Sequence, residues 1–310
     1  MSKIYTSASQ LIGATPLLEL TAIEKKEDLK ARLLAKLEYR NLSGSVKDRV
    51  ALSMIEDAEA NGLLTEGSVI IEPTSGNTGL GLAAVAAARG YRTVIVMPDS
   101  MSAERQMLMK AYGAQVVLTP GALGMQGSVE KAKELAGQIP NSFIPDQFGN
   151  PANPAAHETT TGPEIWDDTD GSVDIFVAGA GTGGTLTGTG RYLKSKNQKL
   201  ELVAVEPAGS PLLSGGKAGP HGLQGIGANF VPEILDQALL DRVIPVTEQE
   251  AYAAGRLLAR SEGILAGISS GAALHAAITL AKQEENTGKT IVVLLPDTGE
   301  RYLSTALFQE

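Results

Sequence analysis

Short apolar runs alternate with segments of helical periodicity along most of the chain, and few folds accept that pattern. Residues 32–38, 68–71, 92–97, 115–118, 173–178, 200–206, 243–246 and 291–295 read as strands. Most are near-continuous runs of Val, Ile, Leu and Ala, as strands buried on both faces are. Residues 46–60, 80–88, 102–112, 125–136, 185–196 and 248–262 read as helices, and another helix opens near residue 268. Strand, helix, strand at this spacing predicts parallel βαβ units, and hence an α/β protein. A length of 310 residues suits two domains. A polar stretch rich in proline and asparagine, 145–154, marks the crossing between them. Residues 1–30 read as an irregular arm. Residues 207–242, rich in Gly, Pro and Ser, read as a long irregular segment of the kind that often carries function.

Charge and composition remove several classes of function. The net charge is −9 and no basic run exists to neutralise phosphates, so no nucleic-acid partner is expected. Cysteine is absent, which removes disulfides, a thiol nucleophile and cysteine-based metal sites. His157, His221 and His275 lie far apart without ligand spacing. They read as surface or packing residues, and no metal site is expected. The tract from Met1 to Gln10 lacks the apolar core of a signal peptide, and the apolar runs are too short or too glycine-rich to span a bilayer. A soluble cytoplasmic protein with no membrane partner is expected.

Four local patterns carry chemistry. The first is Ile71-Glu72-Pro73-Thr74-Ser75-Gly76-Asn77-Thr78-Gly79, between a strand and a helix expected from Leu80. Thr74, Ser75 and Thr78 offer hydroxyls and Asn77 an amide, next to a helix start with a positive dipole end. Together they form a small-anion cradle, although a plain capped loop uses the same residues. The second is Gly179, Gly181 and Gly184, a G-x-G-x-x-G run after a strand, with Glu206 22 residues past Gly184. That is close to a dinucleotide fingerprint and keeps an NAD(P)-dependent oxidoreductase open. Thr182 and Thr185 add hydroxyls suited to a terminal phosphate monoester.

The third pattern is Lys47, in the first turn of the helix over 46–60. The helix dipole disfavours a cation there, which suits a nucleophilic or Schiff-base amine. A lysine paired with Asp48 is the plainer alternative. Ser45 reads as the N-cap, with Asp48 placed as in a capping box. The fourth is Ser269-Ser270 after Gly267, either two caps or a neutral hydroxyl for a ring nitrogen.

Taken in order, Ser45-Val46-Lys47-Asp48-Arg49, Thr74-Ser75-Gly76-Asn77-Thr78-Gly79, Gln147-Phe148 with Asn150-Pro151-Ala152-Asn153-Pro154, Gly181-Thr182-Gly183-Gly184-Thr185 and Gly267-Ile268-Ser269-Ser270-Gly271-Ala272 resemble the signatures of the cysteine synthase (O-acetylserine sulfhydrylase) family. The resemblance runs on to Pro296-Asp297 and Gly299-Glu300-Arg301-Tyr302-Leu303-Ser304, covering almost the whole chain. It implies the tryptophan synthase β-like fold type II of pyridoxal-phosphate enzymes: two three-layer αβα domains with mostly parallel sheets and the cofactor in the cleft. A smaller mobile domain over 40–151 would hold the substrate carboxylate. A larger one, 1–39 with 152–310, would hold the cofactor phosphate.

The resemblance also assigns residues. Lys47 would bind pyridoxal 5′-phosphate as a Schiff base. Gly181, Thr182, Gly183, Gly184 and Thr185 would hold its phosphate, and Asn77 the ring 3′-oxygen. Ser269, with Ser270 as the adjacent choice, would face the pyridine nitrogen. Thr74, Ser75, Thr78 and Gln147 would receive the substrate α-carboxylate. The implied reaction is β-replacement on O-acetyl-L-serine, in which Lys47 removes the Cα proton, acetate leaves, and sulfide adds at the β-carbon to give L-cysteine.

A cystathionine β-synthase-like enzyme using homocysteine is the nearest rival. The oxidoreductase reading recedes because it leaves Lys47 and residues 74–79 unexplained. The implied partners are a second copy of the chain and the C-terminal tail of serine acetyltransferase. One position departs from the family pattern: Asn229 stands where glycine is usual, and a positive φ there would suit asparagine as the next best residue.

Overall fold

The computed structural model describes residues 4–101 and 103–309. In chain order, β1 (Leu17–Glu19), α1 (Thr21–Lys26) and β2 (Arg32–Leu37) are followed by α2 (Lys47–Ala60), β3 (Val69–Pro73), α3 (Asn77–Arg89), β4 (Arg92–Pro98), α4 (Ala103–Ala111), β5 (Gln115–Thr119), α5 (Gly124–Gln138) and β6 (Ser142–Phe143). Helix α6 (Ala152–Ala156) continues through one π turn (His157–Thr161) into α7 (Gly162–Asp168). Then come β7 (Ile175–Gly179), α8 (Gly184–Lys196), β8 (Glu201–Pro207), β9 (Arg242–Val246), α9 (Glu248–Glu262), α10 (Ile268–Ala281) and β10 (Thr290–Leu295). The helix expected from Ser102 is seen from Ala103. Ser102 lies outside the described residues, as do Met1, Ser2 and Lys3 of the N-terminal tract. Among the described residues, no helix is long and apolar enough to cross a membrane.

The chain divides into two compact units, Met1–Gly13 with Asn41–Asn153, and Ala14–Arg40 with Pro154–Glu310. The first is built on a four-stranded sheet in the order β5-β4-β3-β6, parallel throughout. Side chains alternate across a strand, so Ile70 packs with Val50, Met54, Ile55, Leu82 and Val85 of α2 and α3. Val69 and Ile71 pack the opposite way, with Val94, Val96 and Ala132 of α5. Helices on both faces make this an αβα layer. They also explain why β3 and β4 read as unbroken apolar runs. Glu72 breaks that run at the end of β3, yet it is only 1% exposed.

The second unit is a six-stranded sheet in the order β1-β2-β10-β7-β8-β9. All neighbours are parallel except the β1–β2 pair. One face buries Leu33, Ile175, Val203 and Ile291 with the small residues of α10, among them Ala272, Ala273, Ala276 and Ala277. On α8, Gly190 approaches β8 so closely that a Cβ there would lie 2.5 Å from Leu202 Cδ2.

Three elements carry weak sequence signals. β1 has three residues on the sheet edge. α1 has six residues, no side-chain cap, and Ile23 as its one buried residue. β6 is a two-residue pairing with β3. The expected irregular character of 207–242 is seen, interrupted by a single 3-10 turn at Gln237–Leu239.

Candidate active site

In the first unit, α3 begins at Asn77, three residues earlier than the sequence predicts. Gly76 is its N-cap and no side chain caps the turn. Asn77 and Thr78 therefore belong to the helix start, whose amide dipoles favour an anion. The loop before it is held from two sides. Arg105 donates to the Ser75 carbonyl at 3.0 Å, and the Gly76 amide donates to Thr74 Oγ1 at 3.3 Å. Thr78 Oγ1 donates to Gln147 Oε1 at 2.6 Å. All four residues expected to bind the substrate carboxylate thus lie in one unit, Thr74, Ser75 and Thr78 within this stretch and Gln147 hydrogen-bonded to it. Gln147 sits in the polar crossing, where Asn153 Nδ2 donates to its carbonyl at 2.7 Å and Asn150 Nδ2 donates to the Pro145 carbonyl at 2.8 Å.

Glu72 was not singled out by sequence reasoning. Its carboxyl accepts from the amides of Asp146 at 3.1 Å and Gln147 at 3.4 Å. Burial pushes it up to about 8, against the lowering effect of those two amides and with a smaller raising effect from the Asp146 charge.

Lys47 opens α2 and is half-buried. The capping reading of this turn needs correction. The N-cap of α2 is Val46, which has no side-chain cap, while Ser45 Oγ accepts from the Lys47 amide at 3.2 Å. The Asp48 carboxylate accepts from the Ser43 amide at 2.5 Å and from the Ser43 hydroxyl. Gly81 lets α2 meet α3: a Cβ there would lie 3.0 Å from the Lys47 carbonyl oxygen. Lys36 offers a contrast. Its ammonium is fully buried, at 2.8 Å from Glu164 and 3.6 Å from Asp168, and it also donates to the Thr15 carbonyl. That amine is committed to ion pairs and is unsuited to nucleophilic work.

In the second unit, β7 ends at Gly179 and α8 begins at Gly184. Gly183, the N-cap, has φ of +87°, a conformation open to glycine at little cost. No side chain caps this helix either, so residues 181–185 form an anion cradle at a helix start. The cradle has no room for added side chains. A Cβ on Gly183 would lie 2.5 Å from Leu235 Cβ, and one on Gly181 would lie 2.6 Å from the Gly225 carbonyl oxygen.

Thr185 Oγ1 lies 3.2 Å from His157 Nε2, while His157 Nδ1 lies 2.9 Å from Thr161 Oγ1. The expectation that His157 is a surface or packing residue is therefore corrected in part. It is buried, but its ring braces a cradle hydroxyl. The π turn and the close approach of Gly188 to it account for this placement, and neither is visible as a spacing of histidines.

Ser269, 4% exposed, lies in the first turn of α10. A Cβ on Gly225 would lie 3.5 Å from Ser269 Oγ, so Ser269 and the 181–185 cradle flank the same turn. Ser270 Oγ is buried without a hydrogen-bond partner. An uncapped, glycine-rich helix start, and a neutral hydroxyl at another beside the same turn, suit a phosphorylated pyridine.

The dinucleotide alternative fares worse. Glu206, its ribose ligand, is buried and accepts from the amides of Leu213 and Ser214 and from the Ser214 hydroxyl. Asn229 has φ of +64°, as expected of asparagine in place of glycine, and its Oδ1 accepts from Ser210 Oγ at 2.8 Å.

These features define an enzyme class. The family described as pyridoxal-phosphate dependent enzymes matches residues 8–297, and the chain belongs to it. It is 54% identical to cysteine synthase A of Escherichia coli strain K12, over all of this chain and 97% of that protein. The crystal structure of cysteine synthase (OASS) from Entamoeba histolytica is similar with a TM-score of 0.96 at 46% identity, covering 99% of this chain and 91% of that one. The O-acetylserine dependent cystathionine beta-synthase from Helicobacter pylori is similar with a TM-score of 0.93 at 40% identity, covering 99% of this chain and all of that one.

Proposed function

We propose that the protein is an O-acetylserine sulfhydrylase, which replaces the acetate of O-acetyl-L-serine by sulfide to give L-cysteine and acetate. The observation that carries this reading is the 54% identity with a cysteine synthase over the full length of the chain. Pyridoxal 5′-phosphate, when bound, supplies the electron sink that lets a Cα proton leave. In this reading Lys47 anchors the cofactor covalently, the cradle from Gly181 through Gly184 to Thr185 binds its phosphate, and Asn77 bonds the ring oxygen. Ser269 offers the ring nitrogen a neutral hydroxyl. A neutral partner there would leave that nitrogen unprotonated, which would favour loss of a β-substituent over transamination.

Thr74, Ser75, Thr78 and Gln147 receive the donor's α-carboxylate at the start of α3 and orient its Cα hydrogen. The Lys47 amine, freed once the donor's own amine displaces it, would remove that proton as general base. Acetate departs from the β-carbon, sulfide attacks the same carbon, and Lys47 returns the proton to Cα. The wider reading includes a cytoplasmic homodimer and the serine acetyltransferase C-terminal tail as a partner, which size-exclusion chromatography and titration with that peptide would check.

The likeness to an O-acetylserine dependent cystathionine beta-synthase favours one second reading, in which homocysteine is the nucleophile. The test is a product assay on the purified holoenzyme with O-acetylserine and either sulfide or homocysteine. Cysteine formed at a much higher kcat/KM than cystathionine supports the proposal. Cystathionine as the main product would replace it with the second reading.

A further inference from the structure

Glu72 is a costly residue for its place. It is the penultimate residue of an otherwise apolar strand, is 1% exposed, and makes no ion pair among the described residues. Burying a carboxyl there is unfavourable unless it does something an apolar side chain cannot. What it does is accept two main-chain hydrogen bonds, from Asp146 and Gln147. Asp146 has φ of +53°, a strained value for a residue other than glycine. Backbone strain of this kind persists where surrounding contacts hold it, and Glu72 supplies two such contacts.

The strand that carries Glu72 also leads directly into Thr74. One element therefore bears the loop from Thr74 to Thr78 and the anchor of the crossing that carries Gln147. The Thr78–Gln147 hydrogen bond joins the two again at the level of side chains.

We infer that Glu72 is a positioning residue: it fixes the main chain at Gln147 so that the Gln147 side-chain amide, oriented by Thr78, and the hydroxyl of Thr74 converge on one carboxylate. The inference rests on the function proposed above. The raised carboxyl is consistent with it. Near neutral pH Glu72 carries its proton, so it orders the crossing without adding a negative charge close to where an anionic substrate group binds.

The experiment compares Glu72→Gln, Glu72→Ala, Gln147→Ala and the double variant Glu72→Ala/Gln147→Ala with the wild-type holoenzyme. Two readouts are taken: steady-state kinetics with O-acetylserine and sulfide, and hydrogen–deuterium exchange of residues 145–148 without substrate. Glu72→Ala should raise KM for O-acetylserine about tenfold, with kcat within about twofold. KM for sulfide should not move, and exchange at 145–148 should accelerate. Glu72→Gln, which keeps the shape and one acceptor, should fall between Glu72→Ala and wild type. The double variant should match Gln147→Ala in KM, because Glu72 acts through Gln147.

A full additional KM increase in the double variant, or unchanged exchange at 145–148 in Glu72→Ala, would overturn the inference. A wild-type enzyme that does not consume O-acetylserine would sink the proposed function separately, and the exchange measurement would still decide whether Glu72 holds the crossing.

Discussion

The hydroxyl of Thr78 donates a 2.6 Å hydrogen bond to Oε1 of Gln147, 69 residues further along the chain. This leaves the Gln147 Nε2 group as a donor, next to a helix start that favours anions. Gln147→Ala and Thr78→Ala should each raise KM for O-acetylserine about tenfold and leave kcat nearly unchanged, the pattern of an interaction present equally in ground and transition states. Steady-state kinetics at saturating sulfide would check this. A fall in kcat at constant KM would place these residues elsewhere in the reaction.

Gly81 sets where Lys47 stands. An alanine Cβ would meet the Lys47 carbonyl oxygen at 3.0 Å and Asp48 Oδ1 at 3.1 Å. Gly81→Ala should therefore push α2 away from α3, costing about 1–3 kcal/mol of stability as overpacking does. Because the proposed general base moves with α2, kcat should fall more than KM rises. Denaturant unfolding and steady-state kinetics of the variant measure the two effects.

Much of this was legible in the sequence, for identifiable reasons. β3 and β4 are buried on both faces, so their apolar runs are continuous and their parallel pairing could be read from spacing. The uncapped helix start at Gly183 and Gly184 was legible because its glycines and threonines follow directly on an apolar strand. The start of α3 was missed because Asn77, Thr78 and Gly79 look like loop residues, and Gly76 gives no capping signal. Glu72 and His157 were missed for a deeper reason. Each acts on a residue distant in sequence, Gln147 and Thr185 respectively. No local pattern encodes such a pairing, since it exists only once the sheets have formed.

Gly183 is the tightest point of the turn proposed to hold the cofactor phosphate. Its φ of +87° lies in the left-handed region, and a Cβ would lie 2.5 Å from Leu235 Cβ. Gly183→Ala should distort the cradle and lower cofactor affinity before it unfolds the protein. The check is the amount of pyridoxal phosphate retained per chain after dialysis, which should drop well below the wild-type value while the far-ultraviolet circular dichroism persists.

Glu72 also makes stability depend on pH in a definite direction. Its folded value, near 8, lies above an ordinary value of 4.5. Below the ordinary value both folded and unfolded chains hold the proton, and the contribution to stability is fully present. Between the two values the unfolded chain releases a proton that the folded chain retains, so stability falls as pH rises. The slope from this one group is up to about 1.4 kcal/mol per pH unit, and it vanishes above the folded value. Unfolding curves in urea from pH 5 to 9 should show a decline for wild type that is shallower in Glu72→Gln. An identical slope in both would remove Glu72 as the source.

The central claim is that O-acetylserine and sulfide are turned over in two halves on a cofactor held by Lys47. The most direct measurement is the visible absorption spectrum of the purified holoenzyme, recorded alone, after O-acetylserine, and again after sulfide. The account predicts a cofactor band that moves to longer wavelength with O-acetylserine and returns when sulfide is added, and no such cycle in Lys47→Ala. A band indifferent to O-acetylserine, or an unaltered cycle in Lys47→Ala, would contradict it.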